Sequence, residues 1–503
     1  MNYLSLNLLI FAPLIVPVLY LLPIFRGQEV VIRRFAKGFA TLHFIYALCF
    51  WIFYNPTEPY FSELSFFGIS GVPSLGVRSV FTLDGLSLVM VILTSFLVLL
   101  ATIASKTCIR KRHKLYYGLI FLLETAILGV FTSCDMFLFF LFWELELIPM
   151  YFLINLWGTG NSQKSAMKFL LYTFLGSMFM LVGILLLHYF NNTLNAQMTS
   201  LFTDIDIVDK LPMYVQILIS ILLMIGFFVK MPIIPLHTWL PNAHVDAPTP
   251  VSMLLAGILL KLGAYGFIRF NIMLLPDAFK LIAPILLIFA LINIIHSAIL
   301  AYHQNDMKKI VAYSSISNMG IVLLGLCANN EFGLTGGIFQ MVSHGLVAAG
   351  LFMIVGIIYI RTKTRDLNML GGLAKVLPNL TAFTIIIALA GVGLPLTSGF
   401  IGEFLSFWGA FTAQYETPIL IPIIVFLAMI VLVLSVAYIL RLLHRCFYGQ
   451  IQECWTNLRD ISTHEFVILA SLSAVIIFFG IYPMGIVDMI SPVVETIIES
   501  VGI

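Results

Sequence analysis

Apolar runs long enough to cross a hydrocarbon core as helices follow one another along almost the whole chain, separated by short polar stretches. Leu4–Leu22, Leu86–Ile103 and Ile423–Leu440 are plain examples. Followed through, the pattern predicts about fourteen spanning helices of roughly 20 residues. Their cores fall near 4–24, 36–54, 84–104, 115–132, 136–156, 167–189, 213–236, 248–270, 279–300, 308–327, 333–360, 378–410, 418–443 and 464–487. No basic residue precedes the first run, and Pro13 and Pro17 interrupt it, so it reads as a first spanning helix rather than a cleaved signal. The fold class expected is all-α, a polytopic membrane protein.

Composition agrees. Hydrophobic residues make up 61% of the 503 and charged residues 10%, against about 25% charged in a soluble domain. Such a chain cannot coat a water-facing surface of its size. The net charge of +2 is small and scattered, which argues against a nucleic-acid partner. Six cysteines (Cys49, Cys108, Cys134, Cys327, Cys446, Cys454) form no CxxC, and ten histidines form no HExxH pair. Neither a metal centre, an iron–sulfur cluster nor a disulfide framework is legible. No GxGxxG or Walker-type loop is present either, so no cofactor is expected in this chain.

Orientation is read from the lysines and arginines. Loops with odd numbers, counted from the amino terminus, hold twenty of the 26, among them Arg26, Arg33, Lys106, Arg110, Lys111, Lys308, Arg361 and Arg445. Even loops hold four: Arg78, Lys210, Arg269 and Lys280. Positive charge marks the cytoplasmic side, so both termini are expected on the opposite side, as an even helix count requires.

The two basic residues left over, Lys230 and Lys261, fall inside apolar stretches, as do Glu124, Glu144, Glu146 and Glu403. An ionisable group at that depth costs at least ~2.5 kcal/mol even on lenient scales, and usually lines an ion path or holds a partner charge. Glu144 and Glu146 stand two apart, so on one helix they point to different faces and at most one meets a given partner. Lys230 lies in FFVKMPIIPLHTWLPNAH, where Pro232 and Pro235 each remove a backbone donor and should break the helix just after the lysine. Irregular backbone at membrane depth is tolerated only where it is packed in protein or lines a watery cavity. A lysine there is either a proton switch answering to a nearby carboxylate or half of a structural salt bridge. Lys261, among Gly257, Gly263 and Gly266, sits on a helix suited to close packing and reads as an interior relay site.

A second break is expected at Gly391–Glu403 (GVGLPLTSGFIGE), where Pro395 and four glycines unwind a helix ahead of Glu403. Two interrupted segments, one with a lysine and one with a glutamate about five helices apart, point to an inverted-repeat transporter. The organisation expected is an N-terminal three-helix segment (1–110), a first repeat (111–272), a second repeat (273–447) and a C-terminal helix and tail (448–503). His344 lies mid-membrane between Gly336–Gly337 and Gly350; the ordinary near-neutral range of an imidazole suits a relay, although a lone histidine on an apolar helix is more often a satisfied core residue. His237 and His244 flank the first break as shuttles or as caps.

WELELIPMYFLI (Trp143–Ile154), KMPIIPLHTWLPNAH (Lys230–His244), LLAGILLKLGAYGFIRF (Leu254–Phe270), KKIVAYSSISNMG (Lys308–Gly320), TRDLNMLGGL (Thr364–Leu373) and LTSGFIGEF (Leu396–Phe404) occur in that order. Together they closely resemble the chain M family of complex I, whose mitochondrial counterpart is subunit 4. The likeness covers almost the whole chain and is weakest before residue 80 and after 450. Glutamate rather than lysine at Glu403 is characteristic of that branch; chains L and N and the cation-antiporter subunits typically have lysine there. The resemblance implies a half-channel pair in which Glu144 modulates Lys230, Lys261 and His344 form the central axis, and Glu403 passes the proton to the far side. Glu124, His237, His244, Ser317 and Asn318 are further relay candidates. Asn318 stands where the family usually has histidine, and Asn242 where it usually has aspartate; an amide cannot carry a proton as imidazole does, so the link there must run through water or Ser317.

The function these readings imply is proton transport driven by redox chemistry in other subunits. NADH, flavin, iron–sulfur clusters and quinone are expected there, chains of the L and N type as neighbours, and a bacterial inner membrane as the setting. Alternatives are a subunit of a multi-subunit sodium/proton antiporter, of a membrane-bound hydrogenase, or of a ferredoxin-driven photosynthetic complex I.

Overall fold

A computed structural model describes residues 4–23, 27–55, 61–64, 80–193, 211–415 and 420–501. Arg26, Arg78 and Lys210, which enter the loop-charge reading, lie outside the described residues. Among those residues twelve helices are long and apolar enough to cross a membrane, and two shorter apolar helices, Leu6–Leu19 and Pro378–Ala390, join them. The chain is an integral multi-pass membrane protein.

In chain order the helices are α1 (Leu6–Leu19), α2 (Glu29–Ile52), α3 (Gly85–Cys108), α4 (His113–Thr132), α5 (Met136–Trp157) and α6 (Ser162–Thr193). Then come α7 (Met213–Lys230), α8 (Leu240–Asp246), α9 (Thr249–Ile272), α10 (Pro276–His303), α11 (Met307–Leu326) and α12 (Glu331–Thr362). The series ends with α13 (Pro378–Ala390), α14 (Ser398–Phe411), α15 (Leu420–Phe447), α16 (Thr463–Ile481) and α17 (Met484–Val501). A short antiparallel hairpin, β1 (Phe61–Leu64) with β2 (Val80–Leu83), lies beside α1.

The last expected helix, 464–487, is two. Pro483 disfavours helical backbone at Tyr482, and α16 stops at Ile481. The tail then folds as α17, whose buried face (Ile486, Met489, Ile490, Val493) lies close against α3: a Cβ on Gly85 would collide with the Met489 carbonyl.

Burial orders the bundle. The spanning windows of α9 and α12 are buried throughout, whereas α2 and α15 are largely uncovered. The interior helices are therefore the ones that carry Lys261 and His344. The odd loops share one end, tied by Arg365 to Asp306, Arg361 to Glu465, Arg445 to Asn368 and the Trp157 indole to the Lys111 carbonyl. At the other end Ser5 donates to Glu63 of β1 and the Tyr54 hydroxyl to the Met489 carbonyl.

Candidate functional site

The backbone is interrupted where the prolines require it. Pro232 has no N–H for the Phe228 carbonyl, so Ile233 donates there instead at 3.0 Å. That leaves Val229 to accept from the Trp239 indole at 2.8 Å, while the Ile234 amide turns to the Asn293 side chain at 3.1 Å. The Phe228 and Val229 carbonyls and the Ile234 amide thus find partners inside the protein, as a break at this depth demands. Lys230 is the last residue of α7 before the gap and is buried.

Its ammonium meets three features of α5. Nζ forms an ion pair with Glu146 Oε1, donates to the Trp143 carbonyl at 3.4 Å, and stands 3.4 Å from the centroid of the Trp143 ring. Trp143 and Glu146 are three residues apart and so share a face. Glu144, expected to be the partner, lies on the other side of the helix, half-buried against Ser177 of α6 yet within electrostatic range of Lys230. Two residues turn a helix by about 200°, so the packing that turns Trp143 inward turns Glu144 away.

On α9, residues Leu255–Leu259 form a π-helical turn. The widened turn leaves the Ala256 carbonyl to accept from Lys261 Nζ at 2.6 Å, and the same Nζ shares a hydrogen bond of 2.8 Å with His344 Nδ1 of α12. Lys261 has no exposed surface. Gly263 lets α9 reach the first break: a Cβ there would stand 2.5 Å from the Phe227 carbonyl oxygen and 2.7 Å from the Met231 nitrogen. The two lysines therefore sit on helices in direct contact at the interruption.

Beyond His344 the interior stays polar. Ser343 bonds Ser398 at 2.8 Å, linking α12 to the start of α14. One turn away Gln340 donates to the Asn318 Oδ1 at 2.9 Å, and Asn318 donates to the Ser314 carbonyl at 3.0 Å. Gly402 packs directly on Gln340, and Glu403 follows it, buried. The second break spans the residues between α13 and α14, with Gly393 at φ +77° and Leu396 at φ +72°.

Other expected relay residues are placed as follows. Glu124 pairs with His43 of α2 at 2.9 Å, and His43 also reaches the Leu9 carbonyl at 2.9 Å, so this acid belongs to the N-terminal helices. His237 is half-buried, its ring 6.3 Å from that of His296. His244 is buried and stacked on Phe352 at 4.4 Å, with neither ring nitrogen hydrogen-bonded among the described residues. Ser317 turns away, donating to the Ile294 carbonyl at 2.9 Å.

Two features escaped sequence reading. Lys308, counted with the loop charges, is buried, donates to the Ala247 carbonyl at 2.6 Å, and lines a cavity of about 220 Å³ with Arg110, Lys363 and Arg365. Arg269, counted with an even loop, is buried too and binds Asp84 at 2.6 Å. Position in a hydropathy pattern does not distinguish a basic residue that leaves the helix end from one that folds back into it.

The groups brought together are an ion-paired lysine at one break, an amine hydrogen-bonded to an imidazole at the centre, and a carboxyl beside the second break. These are proton-exchanging groups, set on interior helices and joined by hydroxyls and amides.

A family model described as NADH:quinone oxidoreductase/Mrp antiporter, TM, matches residues 133–431. The NADH-quinone oxidoreductase subunit M of Rickettsia conorii is 37% identical over 496 residues, covering 97% of both chains. The NAD(P)H-quinone oxidoreductase chain 4 3 of Trichormus variabilis is 38% identical over 467 residues, covering 92% of this chain and 86% of that one. Among solved structures, a chain of respiratory complex I from Thermus thermophilus with bound NADH matches with a TM-score of 0.86 at 26% identity, covering 99% of each chain. A chain of the Mrp complex from Dietzia sp. matches with the same TM-score at 20% identity, a likeness of fold alone.

Proposed function

The chain belongs to the NADH:quinone oxidoreductase/Mrp antiporter family, in its subunit M and chain 4 branch, and from that premise we propose that it carries protons across the membrane within an NADH–quinone oxidoreductase. Electron transfer takes place in partner subunits, which hold the NADH, flavin, iron–sulfur and quinone sites. This subunit supplies the proton path: Lys230 at the first break, Lys261 and His344 on the central axis, and Glu403 at the second break, with Glu144 within the field of Lys230.

The observation that carries this reading is the Lys261–His344 contact. Nζ and Nδ1 are hydrogen-bonded at 2.8 Å between two helices whose spanning windows are buried throughout. With Nδ1 accepting, the neutral imidazole carries its proton on Nε2 and can release it on the far side as it takes one from the lysine. A structural lysine at this depth would be expected opposite a carboxylate. Its neighbour here is instead a group that both gives and takes a proton.

The neighbours proposed are chains of the L and N type, and the membrane a bacterial inner membrane. Gathering of the odd, lysine-rich loops at one end supports a cytoplasmic assignment for that end and the opposite side for both termini. The test is Lys261→Ala in the assembled complex within sealed membrane vesicles. NADH-driven quinone reduction and acidification should both fall at least about tenfold, a barrier change of about 1.4 kcal/mol. Undiminished acidification by a verified Lys261→Ala complex would refute the assignment.

A further inference from the structure

We propose that Glu146 is a proton-relay residue of this chain, the carboxylate that exchanges a proton with Lys230. The proposal rests on the proton-transport reading above, because it needs Lys230 to titrate in the cycle.

Geometry singles out Glu146. It has no exposed surface, its Oε1 forms the ion pair with the buried Lys230, and the Trp143 ring closes over the same ammonium. Glu144 is held on the opposite side of α5 by helix geometry and cannot bond that ammonium in this arrangement. Lys230 therefore has one carboxylate in contact and a second, two residues earlier, acting only through its field.

The same chain offers a structural ion pair for comparison. Asp84 takes two contacts from Arg269, at 2.6 and 2.5 Å, and accepts from the Ser87 amide at 2.9 Å. Ser87 Oγ joins from the side at 3.1 Å and bonds the Tyr265 hydroxyl at 2.9 Å. A buried pair offsets its desolvation when its remaining lone pairs are filled in this way, and arginine does not release its proton. Glu146 differs on both counts. Its Oε2 has no hydrogen-bond partner among the described residues, and the cation it faces is a lysine.

The backbone around Glu146 is open as well. Pro149 cannot donate to the Leu145 carbonyl, and the α-helical ladder is interrupted at Glu146, between Leu145 and Leu147. The step proposed moves one proton and nothing else. The Lys230 ammonium gives a proton to the Glu146 carboxylate, leaving amine and carboxylic acid with the net charge unchanged. Reloading of the amine from one side and release from the acid on the other then completes one transfer.

The experiment uses the assembled complex in vesicles, with Glu146→Gln, Glu146→Asp and Lys230→Ala, measuring acidification across a pH series together with the amount of complex. Glu146→Gln should lower acidification per complex at least tenfold and change its pH profile, while Glu146→Asp regains part of the rate. Acidification by Glu146→Gln at the wild-type rate and with the wild-type pH profile overturns the proposal. So does a loss explained wholly by reduced assembly, the profile per complex being unchanged. If Lys230→Ala pumps fully, the transport reading itself fails; if Lys230→Ala is inactive and Glu146→Gln is normal, only the role of Glu146 fails. Should Glu146→Gln not assemble, carbodiimide labelling replaces it, since the reagent couples to protonated carboxyls. Glu146 should react slowly in the wild-type complex and faster in Lys230→Ala, and equal labelling in the two overturns the assignment.

Discussion

The Glu403 carboxylate lies over Gly393, in the gap between the two halves of its own interrupted helix. A Cβ on Gly393 would stand 2.4 Å from Glu403 Oε2, and Gly393 holds φ at +77°. The acid and the break are thus one unit: the glycine makes the turn and also vacates the space the carboxylate fills. Lys230 stands at the first break as the last helical residue before it, its ammonium turned to Glu146 and Trp143 of α5.

Gly393→Ala should accordingly impair transport more than assembly. An L-residue at this left-handed φ costs about 1–2 kcal/mol, and the new methyl must also displace Glu403. We expect near-normal complex levels with acidification reduced on the order of tenfold. Normal acidification would show that the carboxylate can leave Gly393 without consequence.

Arg269→Met should behave in the opposite way. It strands Asp84 in the interior, and breaking a buried pair from one side costs about 3–5 kcal/mol. The amount of assembled complex should fall sharply, while activity per complex stays close to wild type. Asp84→Asn with Arg269→Met, which removes both charges, should recover part of the assembly, as native gels of solubilised membranes would show.

These two cases mark what sequence makes legible. The helices and both breaks follow from hydropathy and from Pro232, Pro235 and Pro395, because those are local rules of backbone chemistry. Spacing also establishes that Glu144 and Glu146 face apart. Which of them faces Lys230 depends on the rotation of α5, and that is decided by Trp143 packing against Phe227 of α7 and Phe139 against Phe270 of α9. The π-turn that presents the Ala256 carbonyl to Lys261 breaks the 3.6-residue period and leaves no mark in composition. Arg269 and Asp84 are 185 positions apart, and no periodicity joins them.

At Asn318 the amide is expected to orient rather than to carry. It accepts from Gln340 and donates to the Ser314 carbonyl, so Asn318→Ala frees a buried glutamine at a cost of about 1–3 kcal/mol. Acidification should drop several-fold, and Asn318→His, which can still accept from Gln340, should stay near wild type. If Asn318→Ala pumps normally, the bridge between α11 and α12 is dispensable.

Topology can be checked at the exposed Lys111. A cysteine placed there should react with an impermeant maleimide only in inverted vesicles, given that the odd loops share one end of the bundle and positive loops face the cytoplasm. Ready labelling from outside intact cells would reverse the orientation and place both termini in the cytoplasm.

The most demanding test separates fixed charge from proton exchange at the centre. Lys261→Arg keeps a cation in place but removes the exchange, because guanidinium does not give up its proton near neutral pH. It must also fit where Lys261 is without exposed surface and where its Nζ already reaches both the Ala256 carbonyl and His344. Lys261→Arg should therefore lose acidification nearly as completely as Lys261→Ala, and quinone reduction should slow with it, since the two processes share a cycle. Glu403→Asp keeps an exchangeable carboxyl one methylene shorter and should retain part of the rate. Measured on membranes with verified assembly, pumping by Lys261→Arg at the wild-type rate would show that a permanent cation suffices beside His344. The relay would then have to run past Lys261 rather than through it.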